Sequence, residues 1–110
     1  MDLANAEGGF VVGTGDLSEA ALGWSTFNGD HISMYNVNCA VPKSLMRHVI
    51  MHYARNVSKD LAETLEDIVK TPVSPELLPG EQNTEEIVGR YDLHEFFLYY
   101  AVKYGESPDV

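Results

Sequence analysis

The stretch Phe10-Val11-Val12-Gly13-Thr14-Gly15-Asp16-Leu17-Ser18-Glu19 constrains this chain more than any other. A short apolar β-type run, Phe10 to Val12, meets a glycine turn at Gly13-Thr14-Gly15, and an acid able to cap a helix follows at once. Asp16 at the N-cap with Glu19 at N3 makes a capping-box pattern. Leu17, Ala20, Ala21 and Trp24 give the helix it opens an apolar side. The prediction is strand, glycine turn and helix in that order, a junction where backbone N–H groups and the helix dipole can meet a phosphate. The glycines nearly spell GxGxxG, with Ser18 in the third place. A dinucleotide fold also wants a second strand ending in an acid about 20 residues on. Residues 25–41 read instead as a long loop rich in Asn, Ser, Gly and Asp.

The rest of the chain reads as helices. Asp2 to Glu7 suits a short one ended by Gly8-Gly9. Pro42 suits the first position of another, with Leu45, Val49, Ile50 and Tyr53 on its apolar face to about Asn56. Ser58 can cap a third, striped by Leu61, Leu65, Ile68 and Val69 and stopped at Thr71-Pro72. Three prolines between 72 and 79 predict an extended path through TPVSPELLPGEQNTEEIVGR. Asp92 as cap with Glu95 three residues on then opens a helix carrying Phe96, Phe97, Tyr99, Tyr100 and Tyr104 for a core or an interface.

Charge narrows the partners. Seven Lys and Arg against 17 Asp and Glu in 110 residues give a net −10, which repels phosphate backbones and anionic lipid. This argues against a nucleic-acid or membrane-surface binder. No apolar stretch approaches the roughly 18 residues of a membrane span, and the N-terminus lacks a signal-peptide pattern. The single cysteine, Cys39, has no internal disulfide partner, in keeping with a cytoplasmic location. Residues 43–59 hold Lys43, Arg47, Arg55 and Lys59 with no acid, a cationic island in an anionic chain. An anionic ligand would be met there; a solvated helix face is the simpler reading.

Single residues carry competing readings. Glu19, one turn into a helix beside a strand end, can hold Mg²⁺ against nucleotide phosphates or complete the capping box. Lys43 and Arg47 share a helix face, Lys43 near the N-terminal end where the dipole adds to its charge. His48 and His52 have the i, i+4 spacing of metal ligands but no general-base Glu between them, and packing histidines account for them better.

From Gly13 to Lys43 the sequence GTGDLSEAALGWSTFNGDHISMYNVNCAVPK resembles the synthetase domain of glutamine-dependent NAD⁺ synthetases. TPVSPELLP and GRYDLHEFFLYYAVKYGESP are similar to later blocks of that domain, in the family's order, so the resemblance covers nearly the whole chain. It implies an α/β fold of the N-type ATP pyrophosphatase, Rossmann-like kind, of which this chain would be a mostly helical part with one short parallel-type strand. It further implies ATP-dependent amidation of deamido-NAD⁺ through an adenylated intermediate, with Mg²⁺, and with ammonia from a glutaminase domain, in a homo-oligomer.

Residue by residue, the resemblance implies that Thr14 contacts ATP and that Lys43, as the catalytic cation, reaches its phosphates. Ser74 would supply a hydroxyl to ATP. Glu19 would stand at the Mg²⁺ and deamido-NAD⁺ end, and Trp24, Ser25, Thr26 and Phe27 would line the deamido-NAD⁺ site. Neither the family's SGGxDS pyrophosphate loop nor its glutaminase domain occurs in the sequence. The expectation is that residues 1–110 are a later part of the synthetase domain, inactive alone. The alternative is a non-catalytic helical dimerisation or interaction remnant.

Overall fold

A computed structural model describes residues 1–27, 29–74, 80, 82–107 and 109. The chain forms two compact units, Met1–Lys43 and Ser44–Val110.

The first unit begins with helix α1 (Asp2–Glu7), which ends where Gly8 takes the left-handed conformation at φ 65°, as its Gly-Gly sequence predicts. Strand β1 covers Val12–Asp16, so the strand runs through the glycines rather than stopping at them. It pairs in parallel with β2 (Tyr35–Asn38), matching Val12 with Tyr35, Gly13 with Asn36 and Asp16 with Asn38. Two corrections to the sequence reading follow: there is no turn at residues 13–15, and the loop of residues 25–41 contains a second strand. The pairing explains both. Gly13 lies against Ser33, where a Cβ would fall 2.8 Å from the Ser33 Cβ, so glycine is what lets the backbone approach that closely. Between the strands the chain crosses through helix α2 (Leu17–Leu22), closed by Gly23 at φ 66°, as a parallel pair requires.

Helix α3 (Lys43–Ala54) starts on the last residue of the first unit, one position after Pro42. The second unit adds α4 (Lys59–Lys70), α5 (Thr84–Val88) and α6 (Tyr91–Phe97), and α6 continues as a π-helical stretch, Leu98–Lys103. Ser58 stands at the N-cap of α4 but its hydroxyl makes no capping bond, and Thr71 ends that helix in the extended conformation imposed by Pro72. Helix α5 corrects the expectation of an irregular path from 72 to 91. Asn83 initiates it by accepting the Glu85 N–H at 3.1 Å. Residues 75–79 and 81 of that path lie outside the described residues.

Asp92 does not cap α6. It lies inside the first turn and pairs with the Arg90 guanidinium, Nε to Oδ1 at 3.0 Å, while Arg90 holds the N-cap position. Glu95 turns elsewhere, accepting the Ser44 N–H at 3.1 Å and the Ser44 hydroxyl. Among the described residues Ala54 and Tyr91 are the buried hydrophobic side chains, and Phe96, Phe97, Tyr99, Tyr100 and Tyr104 are exposed. That aromatic row packs on itself, with Phe96 and Tyr100 ring centres 4.6 Å apart and Tyr99 and Tyr104 4.9 Å apart.

Candidate functional site

Four consecutive residues at the start of α2 build the centre of the first unit. Asp16 is extended (φ −119°, ψ 179°) and its Oδ1 accepts the Glu19 N–H at 2.9 Å, while Glu19 Oε2 accepts the Asp16 N–H at 3.1 Å. The predicted capping box is thus present in both halves. It leaves one oxygen of each carboxylate facing outward from the box, and Lys43 reaches both: Nζ lies 2.7 Å from Asp16 Oδ2 and donates to Glu19 Oε1 at 2.8 Å.

The main chain is held by the same turn. Ser18 Oγ accepts the Lys43 N–H at 3.1 Å, and the Leu17 N–H donates to the Val41 carbonyl at 3.1 Å. Asp16 is 1% exposed and Ser18 0%, and the Lys43 side chain keeps 13% of its surface in solvent. Burial pulls the Lys43 pKa down, but the hydrogen bonds and charges of Asp16 and Glu19 outweigh it and hold the ammonium above its ordinary 10.5. Two carboxylates around one ammonium leave a local charge of −1, so the group is cationic at its tip and anionic around it.

A cleft of about 270 Å³ opens beside this cluster, lined by Gly15, Asp16, Glu19, Trp24, Ser25, Asp30, His31 and Asn36 among others. Of the residues the sequence nominates, Glu19, Trp24 and Ser25 line it. Thr26 contributes backbone instead: Asp30 Oδ1 accepts its N–H at 2.7 Å, and His31 Nδ1 donates to its carbonyl at 2.7 Å, which clasps Thr26 to Asp30 and His31. Phe27 is 92% exposed, tilted toward His31 at 6.4 Å between ring centres. Thr14 is exposed on β1. Ser74 belongs to the second unit, where it lines a cleft with Thr71, Pro72, Gln82, Asn83 and Glu86.

Some participants escaped the sequence reading. Asp16 appears there as a cap alone, although it also pairs with a cation, and Ser18 appears only as a failed third glycine. Asp30 four residues after Thr26 is the spacing of a side-chain-to-backbone loop closure, a signal available in the sequence. Asn36 carried none, because its inward position depends on an unforeseen strand. Among the described residues no group of three or more His, Cys, Asp or Glu is placed to hold a metal ion. His48 and His52 are both exposed, which corrects their reading as packing histidines. Cys39 is exposed.

A parallel strand pair crossed by a capped helix, with a lysine locked onto the first turn of that helix, defines an α/β unit with a charged site at a strand end. The chain belongs to the NAD synthase family, whose family model matches residues 1–109. It is 45% identical over 113 aligned residues to the glutamine-dependent NAD(+) synthetase of Mycobacterium tuberculosis, covering 96% of this chain and 17% of that protein. The glutamine-dependent NAD(+) synthetase of Mycobacterium leprae is 41% identical over 96% of this chain and 17% of its own length. The NH(3)-dependent NAD(+) synthetase of Hyperthermus butylicus is 33% identical over 96% of this chain and 35% of its own length. The chain therefore spans about a sixth of the mycobacterial relatives. No solved structure matches it.

Proposed function

We propose that this chain is a later part of a synthetase domain that makes NAD⁺ by ATP-dependent amidation of deamido-NAD⁺, with ammonia drawn from glutamine. The observation that carries the reading is the Lys43 ammonium, held by Asp16 and Glu19 at the end of a strand within a segment that matches the family. Attack by a carboxylate on a phosphorus atom joins two anions, so fixed positive charge at that point lowers the barrier. Lys43 would supply it to the ATP phosphates and Thr14 would contact the nucleotide. Ser74, in the second unit, would provide its hydroxyl to ATP. Trp24 and Ser25, with Thr26 and Phe27, would receive deamido-NAD⁺. The nicotinate carboxylate would take the adenylyl group and release pyrophosphate, after which ammonia would displace AMP. The 45% and 41% identity to the mycobacterial glutamine-dependent relatives supports glutamine as the nitrogen source.

A carboxylate oxygen of Glu19 is the hard donor that Mg²⁺ takes together with substrate phosphates, and the point where Asp16 Oδ2 and Glu19 Oε1 converge is held by the Lys43 ammonium, so the ion would sit beside Lys43 and not in its place. Glu19 would hold the ion while its Oε2 keeps the cap, its Oε1 being shared with the Lys43 ammonium. When bound, the ion neutralises phosphate charge.

By this reading the isolated 110 residues do not turn over, because SGGxDS does not occur in them. The whole enzyme is read as a cytoplasmic homo-oligomer without nucleic-acid or membrane partners. The net charge of −10 on these 110 residues weighs against a nucleic-acid partner, and among the described residues no helix is long and apolar enough to cross a membrane. The test is a graft of residues 1–110 in place of the aligned segment of the Mycobacterium tuberculosis enzyme, assayed for NAD⁺ formation from deamido-NAD⁺, ATP and glutamine. Activity that Lys43→Ala removes is the expected result. A graft that is folded but inactive, or one indifferent to Lys43→Ala, overturns the assignment.

The exposed aromatics of α6 and its π-helical extension favour a second reading, a helical surface that joins copies of this chain without catalysis. Sedimentation of the 110-residue chain distinguishes it. A stable dimer that Phe96→Ser with Tyr100→Ser dissociates, and that ignores Mg-ATP, supports this reading; a monomer rejects it.

A further inference from the structure

We infer that Ser18 is a positioning residue for Lys43, its hydroxyl fixing the lysine main chain where the ammonium spans the two carboxylates. The inference rests on the reading of Lys43 as the phosphate contact and deepens it. Lys43 is the first residue of α3, so its N–H is one of the four at that helix start that no carbonyl within the helix can accept. Ser18 Oγ accepts it from outside, at 3.1 Å, in a position with no solvent exposure. Asp16 and Glu19, on either side of Ser18 in the same turn, hold the other end of the residue, Nζ.

One helical turn therefore grips Lys43 at both ends, and four flexible methylenes run between two fixed points. A lysine anchored only by its ammonium would carry its rotamer freedom into the site; anchored at both ends, it presents the charge at one place. A hydroxyl is the group this position calls for. Alanine takes away the acceptor that the Lys43 N–H uses. The Leu17 N–H bond to the Val41 carbonyl adds a second tie between the same two segments, so Ser18 sets the last step of a register that Leu17 begins.

The experiment uses the 110-residue chain labelled with ¹⁵N-lysine and compares proton exchange at the lysine ammonium groups in wild type, Ser18→Ala and Ser18→Cys. Lys59 and Lys70 are 87% and 74% exposed, which makes them internal references for a free ammonium. The expected result is slow exchange at Lys43 in wild type and about tenfold faster exchange in Ser18→Ala, the references unchanged. Ser18→Cys, which nearly keeps the volume and offers a weak acceptor, falls between them and secures the test if Ser18→Ala does not fold. Unchanged Lys43 exchange in either folded variant overturns the inference. No nucleotide enters this measurement, so its failure is separate from that of the functional reading. That reading stands or falls on the grafted enzyme and Lys43→Ala.

Discussion

Lys43 Nζ lies 2.7 Å from Oδ2 of Asp16, a carboxylate that is almost wholly buried and whose other oxygen caps helix α2. One side chain therefore closes a helix and neutralises a cation. Removing it does double damage: the Glu19 N–H loses its acceptor, and a mostly buried ammonium loses one of its carboxylates. Asp16→Ala should cost about 3 kcal/mol, the lower end of what breaking a buried pair costs. Glu19 is 22% exposed, so water replaces part of what it gives, and Glu19→Ala should cost about 1 kcal/mol. Urea unfolding of the two variants checks the order. A Glu19 variant the weaker of the two would overturn the order drawn from burial.

The same ion pairs make stability depend on alkaline pH. The folded state holds the Lys43 pKa above its ordinary 10.5, so the folded protein binds that proton more tightly than the unfolded chain does. The contribution is complete below 10.5 and is lost as pH rises through the folded value. Tyr99, raised above 10.0 first by its hydrogen bond with Tyr104, falls away in the same direction and window. Unfolding midpoints of wild type and Lys43→Met separate the two. Their difference should shrink steadily as pH climbs past 10.5, and a constant difference would mean that the Lys43 charge adds nothing to folding.

Thr84 is 1% exposed, and its Oγ1 finds no hydrogen-bond partner among the described residues, although its N–H donates to the Val73 carbonyl at 2.9 Å. Valine has nearly the same shape without the hydroxyl, so Thr84→Val removes a desolvation cost and keeps the packing. Thermal unfolding should show a variant as stable as wild type or more stable, by up to about 1 kcal/mol. A clear loss would show that the hydroxyl is bonded after all.

How much of this was legible in the sequence depended on how local the cause was. The box of Asp16 and Glu19, the Gly8 cap and the end of α4 at Thr71-Pro72 each rest on residues a few positions apart, and each stands as read. Strand β2 was not legible because Tyr35 and Val37 face outward and Asn36 and Asn38 inward, the reverse of the alternation that marks a half-buried strand. Asp92 and Glu95 had the spacing of a capping box, but Arg90 and Ser44 offered them stronger partners. In the site, Glu19 was read as cap or as Mg²⁺ holder; the structure gives one oxygen to the cap and the other to the Lys43 ammonium, a pairing the sequence reading did not contain. Ser18 meets Lys43 across 25 positions, a separation that no local pattern can encode.

Gly13 offers the sharpest test of the strand pairing. It is buried in β1 opposite Asn36, and a Cβ there would strike Ser33, with 2.8 Å to the Ser33 Cβ and a closer approach to its hydroxyl. Ser33 lies just before β2, so the clash can be relieved only by moving one strand away from the other or by emptying position 33. Gly13→Ala should therefore cost about 2 kcal/mol, within the range for overpacking a tight site. Adding Ser33→Gly takes away both atoms that the new methyl meets and should return part of that loss, less the flexibility the second glycine brings to the unfolded chain. Because β1 delivers Asp16 to the lysine, the single variant should also loosen the Lys43 ammonium, and the double variant should restore it. If Gly13→Ala proves harmless, the parallel pairing of β1 with β2 in this register is wrong, and the position of Asp16 at the strand end would need another cause.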